Sequence, residues 1–288
     1  MAKRTLIQIL TAFLYNGNLP GFLNGRIWQG PSKSICVPGL NCYSCPGALG
    51  ACPLGALQSS LSGVLLRFPF YVLGLMLLFG LLLGRTVCGW LCPFGFIQEL
   101  LYKIPSPKFA KNKATRTLTK LKYIIGLLFV IILPIVFFYV VGVGAPAFCK
   151  YICPAGTLEA ALPLLSTNPF LKQNLGMLFN WKLFLLLVTV IASIVIYRPF
   201  CRFICPLGAF YSLFNKISYF GIQVDNVKCT GCDACIRKCK MDCVKVGDRE
   251  CINCGECIDT CPASAISLGR KVKKADTNVA EATNNQLL

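Results

Sequence analysis

The sequence predicts a mainly α protein: about four transmembrane helices, joined by Cys-Pro turns and short amphipathic helices, plus a small C-terminal α+β domain. Three observations lead there. Hydrophobic residues make up 55% of the 288, and they are gathered into runs. The 19 cysteines fall mostly in C-x2-C or C-x3-C pairs. Beyond Tyr219 the chain turns polar and cysteine-rich. A membrane part (1–220), a small domain (221–270) and a polar tail (271–288), expected to be disordered, follow from these shifts.

Taken in order, "TLIQILTAFLY" (5–15) is a weak apolar segment, either a span or a helix lying on the membrane surface; a span is favoured. No small-residue cleavage site follows it, so no cleavable signal is expected. Clear apolar runs occupy 68–83, 123–141 and 183–197. The middle run fits a full crossing of about 20 residues. The outer two are shorter, and Arg67 and Lys182 could snorkel to lengthen them. Between the second and third segments, Lys103, Lys108, Lys111, Lys113, Arg116, Lys120 and Lys122 occur without an acid. Such a loop stays cytoplasmic, so N-terminus and C-terminal domain are both expected inside the cytoplasmic membrane of a multi-pass protein.

Composition excludes several chemistries. Histidine is absent, which removes histidine-ligated haem, Rieske centres, Cys2His2 zinc and imidazole acid–base catalysis. The net charge of +18 would suit nucleic acid, yet the cations sit mostly at the ends of apolar runs. Membrane topology accounts for that pattern, and no nucleic-acid partner is expected.

Two runs in the C-terminal domain carry the strongest signal. "CTGCDACIRKC" and "CINCGECIDTCP" each read C-x2-C-x2-C-x3-C, the spacing of two-cluster bacterial ferredoxins. Three cysteines wrap three corners of a cubane, and the fourth reaches the neighbouring cluster. One 4Fe–4S set is therefore Cys229, Cys232, Cys235 and Cys261, and the other is Cys251, Cys254, Cys257 and Cys239. Zinc knuckles do not need such a tandem array. Lys240 replaces the usual proline after Cys239, and Cys243 is an extra cysteine expected to fill a small apolar core position.

A second unit repeats through the membrane part. "CGWLCPFG" begins at Cys88, "CKYICPAG" at Cys149 and "CRFICPLG" at Cys201, each behind an apolar run and before a helix-compatible stretch. A variant ends at Cys52-Pro53-Leu54-Gly55, with Ala48 where the upstream cysteine would stand. Proline suits the first helical position, and the free N–H groups of that turn favour an anion held by the cysteine. Topology then groups Cys88, Cys92, Cys201 and Cys205 at an inner site. Cys149, Cys153 and Cys52 belong to an outer site, with Cys45 as fourth ligand and Cys42 as the alternative. About four 4Fe–4S clusters are expected in all. The two surplus outer cysteines, Cys36 and Cys42 when Cys45 is the ligand, are structural or form a redox-active dithiol.

From Cys36 to Leu268 the chain resembles the membrane polyferredoxins, among them the membrane quinol-dehydrogenase subunit of periplasmic nitrate reductase systems, the nitrous-oxide reductase regulator and the oxidase-assembly ferredoxins. "CGWLCP", "CRFICP" and the double ferredoxin run carry the likeness. It implies electron transfer between a cytoplasmic or quinone pool and an exported partner, with a cluster on Cys88, Cys92, Cys201 and Cys205. "CKYICP" and the "NCYSC" loop depart from the simplest members and add redox capacity on the outer side.

The expectation is a relay between a low-potential cytoplasmic carrier of ferredoxin or flavodoxin type and an exported or membrane redox partner, with no evident substrate-converting active site. Lys228, Arg237, Lys238 and Lys240 either dock that carrier or form a solvated face. The rival readings are a quinol dehydrogenase, with Glu99 or Glu159 as proton acceptor rather than a first-turn surface carboxylate, and a maturation factor that reduces a metal or thiol on a client.

Overall fold

The computed structural model describes residues 2–62, 69–109, 111–142, 144–173 and 175–271. Arg67, Phe68 and the tail beyond Lys271 lie outside them.

Helix α1 (Ala2–Tyr15) has an inverted polarity. Arg4, Gln8 and Thr11, spaced along one helical face, are buried, while Leu6, Leu10, Phe13 and Leu14 are exposed. Its Arg4 end lies against Gly89, and its other end reaches the loop ahead of Cys52, where Leu49 N donates to Tyr15 O. Next come α2 (Pro53–Leu61), α3 (Phe70–Leu83) and α4 (Pro93–Tyr102). The long helix α5 (Lys113–Val141) precedes the short α6 (Ala147–Tyr151). A helical stretch over 154–167 leads to α7 (Met177–Val195), then α8 (Pro199–Phe203) and α9 (Pro206–Phe214).

Among the described residues, two helices are long and apolar enough to cross a membrane: α5, with 29 residues, and α7, with 19. The expected count of four is not reached by length. Helices α1 and α3 have 14 residues each, or about 21 Å against a hydrocarbon core of about 30 Å. Helix α3 stops at Gly84, whose φ of 52° lies in the region that favours glycine, four residues before Cys88. Lys182 does not extend α7 toward solvent; its Nζ donates to Cys149 O at 3.2 Å.

Charge is on the inside. Arg85, Arg198 and Arg202 head the fully buried side chains, whereas Ile124, Leu127, Phe184 and Ile191 of the long helices face outward. Such a distribution suits a hydrocarbon surround and a polar protein interior.

Strands β1 (Phe220–Val224) and β2 (Ile266–Arg270) pair antiparallel, with Ile222 opposite Leu268 and Val224 opposite Ile266. They close the C-terminal domain, whose one regular helix among the described residues is α10 (Ala234–Lys238).

Candidate metal centres

All four Cys-Pro cysteines open a helical turn, and the two of the inner site accept the N–H of the glycine three residues on. Gly95 N lies 3.4 Å from Cys92 Sγ and Gly208 N lies 3.5 Å from Cys205 Sγ. Gly55 and Gly156 stand at the same position after Cys52 and Cys153. The C-P-x-G motif thus aims helix-start donors at sulfur.

At the inner site Cys88, Cys92, Cys201 and Cys205 are all buried, and each lies within the electrostatic reach of the others. Two devices, both absent from the sequence reading, organise it. Gln98 Nε2 donates to Cys201 Sγ at 3.1 Å, while its Oε1 accepts from Phe200 N at 3.1 Å. Arg198 donates through Nη1 to Cys88 O, and Arg85 donates through Nη2 to Cys201 O at 3.4 Å. Each arginine stands three residues before one C-x3-C pair and holds the backbone of the other.

The outer site repeats the first device. Gln58 Nε2 donates to Cys149 Sγ at 3.3 Å and its Oε1 accepts from Phe148 N at 2.9 Å. Cys42, Cys52, Cys149 and Cys153 line one cavity of about 430 Å³, together with Gly55, Gly156 and Lys182. A Cβ added at Gly55 would stand 3.9 Å from Cys149 Sγ, and one at Gly156 would stand 3.7 Å from Cys42 Sγ. Cys45 is not part of that lining. It turns away, its Sγ 3.5 Å from Asn16 Oδ1. The first choice for a fourth thiol therefore lies outside the cavity, and the alternative lies inside it.

Gln58, Gln98, Glu159 and Tyr211 each stand six residues after a Cys-Pro cysteine. That register was readable from the repeat and went unread. Glu159 Oε2 accepts from Cys42 N at 2.6 Å, and Tyr211 donates to Pro38 O at 3.0 Å. Neither Glu99 nor Glu159 is a surface carboxylate. Burial pushes Glu159 up to about 7. Burial would raise Glu99 too, but Arg198 and Arg4, with help from Tyr197 and Gln8, outweigh it and hold the carboxyl down to about 2.

The two sites nearly touch. A Cβ added at Gly39 would stand 3.1 Å from Cys92 Cα, and the next residue, Leu40, lines the outer cavity with Cys52. Phe200 bridges alongside, its ring centroid 5.2 Å from Phe94 and 6.4 Å from Phe148.

In the C-terminal domain a cavity of about 300 Å³ is lined by Cys229, Cys232, Cys235 and Cys261. A narrower one is lined by Cys239, Cys251, Cys254 and Cys257, with Cys235 and Cys243. Cys261 thus lines the space of the first run and Cys239 that of the second. Cys243 is buried, as a core residue would be, but it also hydrogen-bonds Cys239 and Cys251. The Cys243 side chain beside it brings the Cys251 thiol down to about 6. Among the described residues no three His, Cys, Asp or Glu side chains converge on a single-ion site; the thiols ring larger spaces.

This domain is seated on the inner site. Trp90 Nε1 donates to Asn253 O at 2.8 Å, and Asn253 Nδ2 to Thr86 Oγ1 at 2.7 Å. Glu250 accepts from Arg85 and Lys122, both at 2.5 Å, and Asp242 pairs with Arg202. Of the expected docking cations, Lys228, Arg237 and Lys238 are exposed beside the exposed Cys229 and Cys232, whereas Lys240 is paired with Glu256 at 3.1 Å.

Repeated C-P-x-G turns around buried thiols, with a two-run ferredoxin domain seated on them, suit the binding of iron–sulfur clusters. Three stretches, 64–112, 124–166 and 180–222, match the family described as 4Fe-4S binding domain, and each contains one C-x3-C-P unit. The chain thus carries repeats of this 4Fe–4S domain, and it is similar to ferredoxin-type proteins. It is 33% identical over 176 residues to an uncharacterized protein of Methanocaldococcus jannaschii, covering 59% of this chain and 63% of that one. It is 24% identical to the methylamine utilization ferredoxin-type protein MauN of Methylobacillus flagellatus, over 65% of this chain and 60% of MauN. It is 28% identical to the regulatory protein NosR of Pseudomonas aeruginosa, over 57% of this chain and 21% of NosR. The chain thus spans 55 to 63% of the length of the first relatives it matches. No solved structure matches it.

Proposed function

We propose that the chain is a membrane-embedded relay that passes electrons between a cytoplasmic carrier and an acceptor at the outer face. Its stations are four cysteine sets: Cys229, Cys232, Cys235, Cys261; then Cys251, Cys254, Cys257, Cys239; then Cys88, Cys92, Cys201, Cys205; then Cys52, Cys149, Cys153, with Cys42 as the fourth. A bound 4Fe–4S cluster supplies reversible one-electron storage at each. The chain holds the thiols, donates N–H groups to them and keeps water away.

One observation carries the reading: Gly39 and Leu40, adjacent in sequence, lie against Cys92 and in the cavity that holds Cys52. Inner and outer sets are therefore close neighbours, and tunnelling, which falls steeply with distance, needs no hop across about 30 Å of hydrocarbon. Irregular backbone at that depth is tolerated where protein buries it. Lys228, Arg237 and Lys238 beside the exposed first set suit an acidic low-potential carrier of ferredoxin or flavodoxin type. The outer acceptor is an exported or membrane redox partner. Glu99, tied into ion pairs and held ionised, is a poor proton acceptor for quinol oxidation.

Anaerobic purification, iron counting and low-temperature EPR under stepwise reduction test the proposal. Four sets imply roughly sixteen irons per chain and four titrating centres. Iron sufficient only for the two sets of the C-terminal domain would overturn it.

A further inference from the structure

The inner site differs from the outer in one respect that the repeat does not require. Each inner C-x3-C pair is preceded, three residues earlier, by an arginine, Arg85 or Arg198; the outer pair at Cys149 has Pro146 there. Both guanidiniums are completely buried. Each reaches across to the opposite motif, Arg198 to Cys88 O and Arg85 to Cys201 O. Arg198 is also one of four non-glycine residues with positive φ among those described, at 50°. A strained backbone at a buried charge is retained where the surroundings over-determine it.

Neither arginine spends all its donors on protein. The Nε–H groups of both Arg85 and Arg198 lack a hydrogen-bond partner among the described residues. A buried donor left unsatisfied is costly, and here two occur at equivalent positions flanking four thiols. Nor is their charge cancelled. Glu250 is shared by Arg85 with Lys122, and Glu99 by Arg198 with Arg4. Each trio of two cations and one carboxylate keeps a positive charge. At the outer site the half-buried Lys182 and the carboxyl of Glu159 act on Cys153 with opposite sign.

We infer that Arg85 and Arg198 are positioning residues for the inner centre: they present two buried N–H donors and an unbalanced positive charge to its sulfur shell, and so make it easier to reduce than the outer centre. This rests on the reading that Cys88, Cys92, Cys201 and Cys205 hold a cluster. The step adds one electron, supplied by the reductant, and moves no proton. The added negative charge is stabilised by nearby cations in a low-dielectric interior.

An anaerobic potentiometric titration of the full chain with dithionite, read by low-temperature EPR, tests it. The inner centre is identified as the signal lost in Cys201→Ser. In the native chain it should be half reduced at a more positive potential than the outer centre. Arg198→Gln and Arg85→Gln should each move the inner midpoint negative and leave the outer one in place, with Arg198→Lys moving it less than Arg198→Gln. Glu99→Gln and Glu250→Gln should move it the other way, to more positive potential, because each removes a compensating negative charge. That reversal of sign is not expected of residues that merely hold the fold, and it decides the matter if the arginine variants lose iron. An inner midpoint unmoved by Arg→Gln with irons retained, or carboxylate variants that shift it negative, would overturn the role of the arginines. Absence of any inner signal from the native chain would instead overturn the ligand set itself, and the inference with it.

Discussion

Cys42 and Cys45 are three positions apart in sequence, and their thiols have different surroundings. Cys42 shares a cavity with Cys52, Cys149 and Cys153, whereas Cys45 faces Asn16. Cys42→Ser should therefore cost one centre, about four irons, and Cys45→Ser should cost none, as iron analysis of the two purified variants would reveal. The sequence could not separate them because neither stands at the C-x3-C spacing from Cys52. The choice is made by the loop, which folds back where Val37 N donates to Ala51 O at 3.0 Å and Ala51 N to Ile35 O at 2.9 Å. The two glutamines were more legible, since both follow a Cys-Pro cysteine by six residues. Truncating either leaves a buried backbone N–H and a thiol without its donor. Gln98→Ala should destabilise the chain by about 1–3 kcal/mol, measured as a lower denaturation midpoint under anaerobic conditions.

Helix α1 shows how far a pattern can be read before its solvent is known. Its polar stripe of Arg4, Gln8 and Thr11 recurs at helical spacing, so amphipathicity was visible, but which face is buried was not. In water the stripe would face out; here it packs inward on Gly89 and Glu99. The short α3 ends where its apolar run ends, at Leu83, with Gly84 in the left-handed region turning the chain toward Cys88. Glu99 fastens α1, and its carboxyl titrates near 2 when folded against an ordinary 4.5. With a lowered folded value, the stabilisation is complete above the unfolded value and fades as pH falls through the folded one. The shift corresponds to about 3 kcal/mol. Hydrogen exchange of α1, corrected for intrinsic rates, should stay level from pH 8 to pH 5 and quicken below about 4.5. Glu99→Gln should exchange faster throughout and lose that dependence.

Across the whole molecule the sequence shifts in composition after Tyr219, and it says nothing of how the two parts join. The residues that join them, Trp90 with Asn253, Arg85 with Glu250 and Arg202 with Asp242, are far apart in the chain, and none belongs to a spacing motif. Gly89 lies tightly against the C-terminal domain: a Cβ there would overlap Ile252 O, one residue from Cys251. Gly89→Ala should weaken the seating of the C-terminal domain by about 1–3 kcal/mol, seen as faster exchange in 250–254 with the iron content kept. Order along the relay is open to a sharper trial. Cys205 is in the set between the C-terminal domain and the outer site, so Cys205→Ser breaks the path at its middle. The purified variant is mixed anaerobically with a reduced low-potential ferredoxin, and each centre is followed by freeze-quench EPR. The two centres of the C-terminal domain should reduce as in the native chain while the outer centre stays oxidised; an outer centre that fills at the native rate would contradict the relay.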